Sequence, residues 1–403
     1  MTQTMTAPTQ SGGLGFRQNL AVLILAQSLG AASGPIVISL GGLVGQDLSP
    51  DPALATLPVS IYNLGLALGT LPAAWIMRQY GRRNGYLLGA LIGILSGLVA
   101  AGATSFGAFA FFCLGTFLAG LYASYVQSYR FAAADGRDGA DRARAISWVM
   151  VGGPIAAVIG PQLVIATRDV IPGVPFAGSF ISQAGLALLA FFVLTRLRTK
   201  TNTVTEPVTT AEGGRTVPRL LASPKFLLGV AAGVVSYGLM SFVMTAAPLA
   251  MVGCGHSIDH AAWGIQWHVL AMFAPSLVTG KLIARFGKER VTAAGLIIIG
   301  VSGAVALTGL TLGHFFISLI LLGIGWNFGF IGATAMVADA HTEEERARAQ
   351  GVNDFAVFGT VAALSFFSGT LMQASGWHLI NALIFPFIAI VLAPLVWQAA
   401  RRH

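Results

Sequence analysis

The chain runs to 403 residues, of which 55% are hydrophobic and only 9% charged. A soluble globular chain carries about 25% charged residues, so most of this surface is not built for water. The formal net charge of +8 alone would suit a nucleic-acid binder, but the basic residues fall in small clusters between apolar runs. That placement argues against nucleic acid and for a lipid bilayer as the partner.

Apolar runs of about 20 residues, enough to cross a hydrocarbon core of about 30 Å, fall at 18–41, 54–77, 85–105, 107–133, 144–167 and 177–195. Six more follow at 225–251, 260–284, 291–311, 314–338, 349–373 and 377–399. The expected fold class is an all-α membrane protein of twelve transmembrane helices. The opening "MTQTMTAPTQSGGLGF" lacks the basic n-region of a signal peptide, so the first run is expected to stay as a helix. Between the sixth and seventh runs, "LRTKTNTVTEPVTTAEGGRTVPRLLA" is the one long polar stretch, rich in Thr, Gly and Pro, and reads as a linker. The predicted organisation is a tail at 1–17, a six-helix bundle at 18–196, the linker at 197–222, a second six-helix bundle at 223–400 and a tail at 401–403.

The basic residues are sided. Of the 23 Lys and Arg, all but Arg130, inside a run, and Arg168 fall in alternate connections or at the ends of the chain. By the positive-inside rule those connections and both termini face the cytoplasm, which predicts an integral inner-membrane protein. The halves also repeat. Asp135, Arg142 and Arg144 recur 204 positions later as Asp339, Arg346 and Arg348. "YGRRNGY" after the second run is echoed by "FGKERVT" after the eighth, with Gly81 against Gly287 and Arg82 against Lys288.

Six helices, a linker and six similar helices carrying these loops resemble the major facilitator superfamily of secondary transporters, over essentially the whole chain. Gly280, Arg285, Gly287 and Lys288 match the family's loop signature in the second half, with Ala284 in place of its Asp. In the first half Gly81, Arg82 and Arg83 match, while Ala74, Arg78 and Gln79 replace the preceding Gly, Asp and Arg. In the fifth run Gly152, Gly153, Pro154, Gly160 and Pro161 resemble the Gly/Pro motif of the family's antiporters. Close helix packing accounts for the same residues. Thr116 stands where the family's fourth helix carries an arginine. The resemblance implies two six-helix bundles related by a pseudo-two-fold, with the first, fourth, seventh and tenth helices lining a central cavity and the second, fifth, eighth and eleventh beside them.

Polar and aromatic groups within those helices are the candidate substrate-binding residues: Gln27, Asn63, Tyr122, Tyr125, Arg130, Tyr237, Gln266, Trp267, Trp326 and Asn327. Tyr122, Tyr125 and Tyr129 repeat at helical spacing on one stripe; Trp263, Gln266 and Trp267 are assigned to one face of the eighth helix. Arg130 precedes Asp135 by five residues, about 7.5 Å at 1.5 Å per residue. Two accounts of it stand: a side chain that snorkels or pairs with Asp135 or Asp354, or a cavity-facing guanidinium that binds an anionic or carbonyl group of the substrate. Arg82, Arg83, Asp135, Arg142, Arg285, Lys288, Asp339 and Arg346 form a candidate gating network in the cytoplasmic connectors, where they also read as solvated loop charges.

Of the 15 acids only Asp354 is placed where it can enter a helix, so a buried carboxylate suited to exporting cationic drugs is missing. Asp354 and His268 are the candidate proton carriers. Cys113 and Cys254 stand apart and read as packing residues. No paired acids, metal set or nucleophile pair argues for an enzyme, and no filter loop argues for a channel.

The function expected is alternating-access transport of a small organic molecule, uncharged or anionic and partly aromatic. A proton-coupled multidrug or metabolite exporter and a non-transporting receptor or scaffold are the alternatives. No cofactor or metal is implied, a proton gradient is a candidate driving force, and a monomer is expected. The linker at 197–222 is predicted to be the segment most sensitive to protease from the cytoplasmic side. Cleavage only from the other side of sealed vesicles would overturn the orientation.

Overall fold

In a computed structural model, residues 11–135, 139–198, 214–342 and 344–400 are described, and among them every regular element is helical. The bilayer imposes this, because in hydrocarbon a backbone must satisfy its own hydrogen bonds. The first half comprises α1 (Ser11–Gly30), α2 (Ser33–Leu48), α3 (Leu57–Tyr80), α4 (Arg82–Phe106), α5 (Phe109–Ala134), α6 (Gly139–Met150), α7 (Gly152–Thr167) and α8 (Ala177–Leu194). After the linker come the short α9 (Val217–Leu221) and then α10 (Pro224–Gly253), α11 (Ile258–Phe273), α12 (Ser276–Phe286), α13 (Lys288–Thr308), α14 (Leu312–Ala338), α15 (Arg346–Ala382) and α16 (Ile384–Ala400).

These helices make twelve spans in two halves. α1 with α2 forms one broken span, Phe16–Leu48, and the end of α6 with α7 another, Arg144–Thr167. The apolar stretch Arg348–Trp397 is 50 residues long, about 75 Å of helix and too much for one crossing. Gly376, at φ 73°, breaks α15 and separates the last two spans. The apolar runs of the sequence fall within a few residues of these spans. Part of the linker, 199–213, lies outside the described residues.

The eighth span is bent by 42° between α11 and α12. Pro275 lies at the bend; it has no N–H to give, and its ring disfavours a continuous helix. Asn327 of α14 takes up the slack: its Nδ2 donates to the Met272 carbonyl at 2.7 Å and to Ser276 Oγ at 2.7 Å, while its Oδ1 accepts from Thr279 Oγ1 at 2.6 Å. Asn327, a candidate for substrate binding, is fully buried and serves as a staple for the kink.

Within the first half, small residues let the helices close up. A Cβ on Gly120 of α5 would lie 2.0 Å from the Tyr62 carbonyl of α3, and one on Gly65 would lie 2.4 Å from the Phe117 carbonyl. α4 receives the tyrosine stripe of α5, with Gly89 under Tyr125 and Gly93 under Tyr122. Tyr129 meets Tyr86 edge-on, ring centroids 4.6 Å apart. The Gly/Pro segment of α7 packs on the first span, Gly152 against Gln27 and Gly160 against the Ala32 carbonyl.

The two halves are fastened to each other at one end. The end carrying Arg82, Arg198 and Lys288 is the basic face, and Arg168 and Asp259 mark the opposite face. There α15 lies across the start of α3: Thr56 Oγ1 accepts from the Gly369 N–H at 3.0 Å and donates to the Phe366 carbonyl at 3.2 Å. Gly369 has no room for a side chain, since a Cβ would come within 2.2 Å of Thr56 Oγ1. Gln162 of α7 donates to Gln266 of α11 at 2.8 Å. Arg168, the one basic residue that broke the sidedness of the loops, stands 2.8 Å from Asp259 at the start of α11 and 2.8 Å from its neighbour Asp169. Its place outside the basic clusters thus has a structural reason: it joins the halves.

Arg168→Glu is expected to loosen this closure. In a protein carrying Cys254→Ser and Leu249→Cys, a membrane-impermeant thiol reagent applied from the opposite face should label the buried position several-fold faster than with Arg168 intact. Adding Asp259→Arg should return labelling towards the starting rate, the signature of a direct pair. Equal labelling in all three proteins would show that the ion pair does not hold the halves.

Candidate functional site

Between the halves a cavity of about 2380 Å³ opens on the basic face. Sealed ligand pockets run to about 300–1,000 Å³, so this is a vestibule leading to a site rather than a fitted pocket. Its mouth is bordered by Asn19, Arg82, Arg198 and Gln350, and its upper end by Gln27, Tyr62, Asn63, Ser241 and Met244. With the opposite face fastened, the cavity is open towards the basic face.

One wall is aromatic and comes from the second half. Tyr237 of α10 sits among Trp326 at 5.4 Å, Phe330 at 5.0 Å and Phe358 at 5.9 Å, centroid to centroid. Trp326 and Phe330, one turn apart on α14, stack at 5.4 Å with planes 17° apart. The Trp326 indole N–H is buried without a partner among the described residues. Such a wall offers flat faces for a planar ring, which prefers offset or edge-on partners.

The other wall is more polar. Gln27, Asn63 and Arg130 of the first half line the cavity, and Asp354 of α15 lines it from the second. The charges of Arg130 and Asp354 are close enough to act on each other. Arg130 Nε is buried without a partner among the described residues, and its guanidinium lies 4.8 Å from the Phe131 ring. Asp354 accepts from Asn353 Nδ2 at 3.1 Å. Arginines outnumber the acids Asp135 and Asp354 in the lining, so the field inside favours neutral or anionic molecules over cations.

Of the ten candidate binding residues, Gln27, Asn63, Arg130, Tyr237 and Trp326 line this cavity. The rest lie elsewhere. Tyr122 and Tyr125 are 1% and 3% exposed against α4, where glycines accept their rings. Gln266 is turned to Gln162, and Trp263 and Trp267 are on the exposed surface of α11. The eighth helix therefore does not present these three on one face; neighbouring positions differ by about 100° around a helix. His268, a candidate proton carrier, is fully buried between α11 and α14 with Nδ1 2.7 Å from the Leu319 carbonyl, away from the cavity lining.

Four of the candidate gate residues pair within their own half. Arg82 Nη2 donates to Asp135 at 2.8 Å, and Lys288 forms an ion pair with Asp339. These are equivalent pairs of the duplication. Asp135 is thus held by Arg82, whereas the side chain of Arg142 lies outside the described residues. Arg83 donates to the Thr195 carbonyl at 2.8 Å, Arg285 lies 5.2 Å from the Phe286 ring and Arg346 opens α15.

Three residues had no signal in the sequence. Ser241 and Ser365 read as small helix residues, yet they meet at 2.9 Å in the roof of the site. Glu345, read as a loop acid, is 2% exposed. It accepts from Arg215 Nη2 at 2.8 Å, the Arg215 N–H at 2.6 Å and the Thr342 N–H at 3.1 Å. The Arg215 guanidinium and these N–H groups hold its carboxyl well below the usual carboxylate range. This knot ties the far end of the linker to the second half.

The Major Facilitator Superfamily profile matches residues 20–274 and 229–403. The riboflavin transporter RfnT of Brucella anthropi is 64% identical over 380 residues, which cover 94% of this chain and 95% of that protein. An uncharacterized MFS-type transporter of Bacillus subtilis, YdeG, is 30% identical over 401 residues, covering 96% of this chain and 93% of its own. Among solved structures, a variant of the nucleoside transporter NupG superposes with a TM-score of 0.72 at 14% identity, covering 94% of this chain and 99% of that one; at that identity the likeness is one of fold. Duplicated helices, a central cavity open at one face and these likenesses make the chain a member of the major facilitator superfamily, a membrane transporter and not an enzyme.

Proposed function

We propose that this transporter carries riboflavin across the inner membrane by alternating access, with its basic face and both termini towards the cytoplasm. The observation that carries the reading is the aromatic wall of Tyr237, Trp326, Phe330 and Phe358, set opposite the polar Gln27, Asn63 and Arg130. Riboflavin joins a flat tricyclic ring to a flexible polyhydroxyl chain, and needs stacking for the first and hydrogen bonds for the second. The 64% identity to a riboflavin transporter over nearly the full length of both proteins supports the same substrate. A monomer suffices, since both walls belong to one chain.

In this reading Arg130, nearer the mouth of the cavity, donates to hydroxyls of the substrate's polyhydroxyl chain, and Asp354, which lines the same cavity, is the candidate carrier if a proton gradient drives transport. Proteoliposomes of the purified protein should take up riboflavin saturably. Tyr237→Ala and Trp326→Ala should each weaken binding about tenfold, the scale of a lost aromatic contact. Arg130→Lys should also weaken binding despite its charge, because lysine lacks the planar fork. Asp354→Asn should lose the response of uptake to a proton gradient, and an unchanged response would remove Asp354 from coupling. Failure of the stably folded wild type to bind riboflavin would overturn the substrate, and full affinity in both aromatic variants would overturn the site.

A further inference from the structure

The roof of the cavity holds polar groups that stacking alone leaves unused. Asn63 Nδ2 of α3 donates to Ser365 Oγ of α15 at 3.0 Å, across the two halves. Ser365 Oγ meets Ser241 Oγ of α10 at 2.9 Å and accepts from Thr245 Oγ1 at 3.4 Å. Ser365, Thr245 and Ser241 are 0%, 1% and 2% exposed. Asn63 and Ser241 form part of the cavity lining.

Hydroxyls between membrane helices often serve only to join them. Asn63 has capacity beyond that. A carboxamide offers two N–H donors and a carbonyl acceptor side by side, and the bond to Ser365 uses one donor. Its Oδ1 accepts no bond among the described residues and is not sealed in the interior. Ser241 stands four residues after Tyr237 on α10, one turn further from the basic face on the same side of the helix. A planar ring lying against Tyr237 and Trp326 with its long axis along the cavity therefore carries its leading edge to Asn63 and Ser241.

We propose that Asn63, backed by Ser241 and Ser365, is the specificity-determining group that reads the imide edge of a planar heteroaromatic ring, the C(=O)–NH–C(=O) unit at one end of a flavin. The carbonyl of Asn63 accepts the imide N–H and its spare N–H donates to a flanking carbonyl. The same contact links substrate to gate, because the Asn63–Ser365 bond spans the halves and must part when the opposite face opens. A bound imide then supplies partners to groups that would otherwise lose them. The inference rests on the flavin reading and adds to it the atoms that discriminate.

The test compares riboflavin with N3-methylriboflavin, which keeps the ring and the polyhydroxyl chain but has no imide N–H. Binding is followed by quenching of flavin fluorescence on the purified full-length protein, beside its thermal stability. Wild type should bind the methyl analogue about tenfold more weakly, the scale of one or two lost neutral hydrogen bonds. In Asn63→Ala the preference should fall to about twofold or less, through weaker riboflavin binding. Should Asn63→Ala not fold, Ser241→Ala carries the test and should reduce the same preference. Equal binding of the two ligands by wild type, or an undiminished preference in the folded variants, would overturn the inference while leaving riboflavin as substrate. Absence of riboflavin binding to wild type would overturn both.

Discussion

The architecture depends on the ties that, among the described residues, fasten the two halves to each other at the face opposite the basic one. Thr56 with Gly369, Gln162 with Gln266, Arg168 with Asp259 and Asn63 with Ser365 all cross from one half to the other at or above the roof. At the basic face, by contrast, Arg82 with Asp135 and Lys288 with Asp339 pair inside their own half. Hydrogen bonds between membrane helices average about 0.6 kcal/mol and partly exposed ion pairs about 0–1 kcal/mol. A handful of such ties therefore sums to a few kcal/mol. Micromolar binding supplies about 8 kcal/mol, so a modest difference in affinity between the two arrangements is enough to move the equilibrium. Weak, polar and specific ties are what a transporter needs at a closure that has to open in every cycle.

The duplication explains why the basic ends look alike without being identical. Arg82 with Asp135 and Lys288 with Asp339 occupy equivalent positions, and a glycine beneath them repeats at the 206-residue spacing of Arg82 and Lys288. Gly89 and Gly295 correspond; in the first half Gly89 receives the ring of Tyr125, while in the second Gly295 meets the backbone of Gly329. One half fills its crossing with aromatic rings and the other brings two backbones together. The aromatic wall of the cavity belongs to the second half and the Arg130 guanidinium to the first, so the cavity draws on both.

Much of this was legible in the sequence, because it depends on quantities summed over many residues. Twenty-residue apolar runs, the sidedness of the arginines and a repeat at an offset of 204 to 206 residues each survive local irregularity. Arg168 was legible as an exception, though what it meets was not, since Asp259 lies in a different half. The contents of the site were harder to read. Helical spacing places Tyr122, Tyr125 and Tyr129 on one stripe but does not say whether that stripe meets the cavity or α4. Asn327 carries the polarity of a binding residue and spends it on the bend at Pro275. Ser365 is indistinguishable in sequence from any small residue that lets helices approach, and only its neighbours Asn63, Ser241 and Thr245 give it meaning. Which face of a helix points inward is a tertiary property, and one sequence without its partners does not contain it.

The claim that the halves rock about a central site while exchanging one closure for another is tested most directly by distances across both faces. Spin labels on the exposed pairs Tyr80 with Phe286 at the basic face and Phe106 with Leu310 at the opposite face, introduced as cysteines in a protein whose native cysteines are replaced, report the two openings. Pulsed electron-electron resonance in liposomes, with and without riboflavin, should reveal a population in which the basic-face distance shortens as the opposite-face distance lengthens, its share changing with substrate. Distances at both faces that stay single and unchanged, in a protein that still transports, would contradict the account.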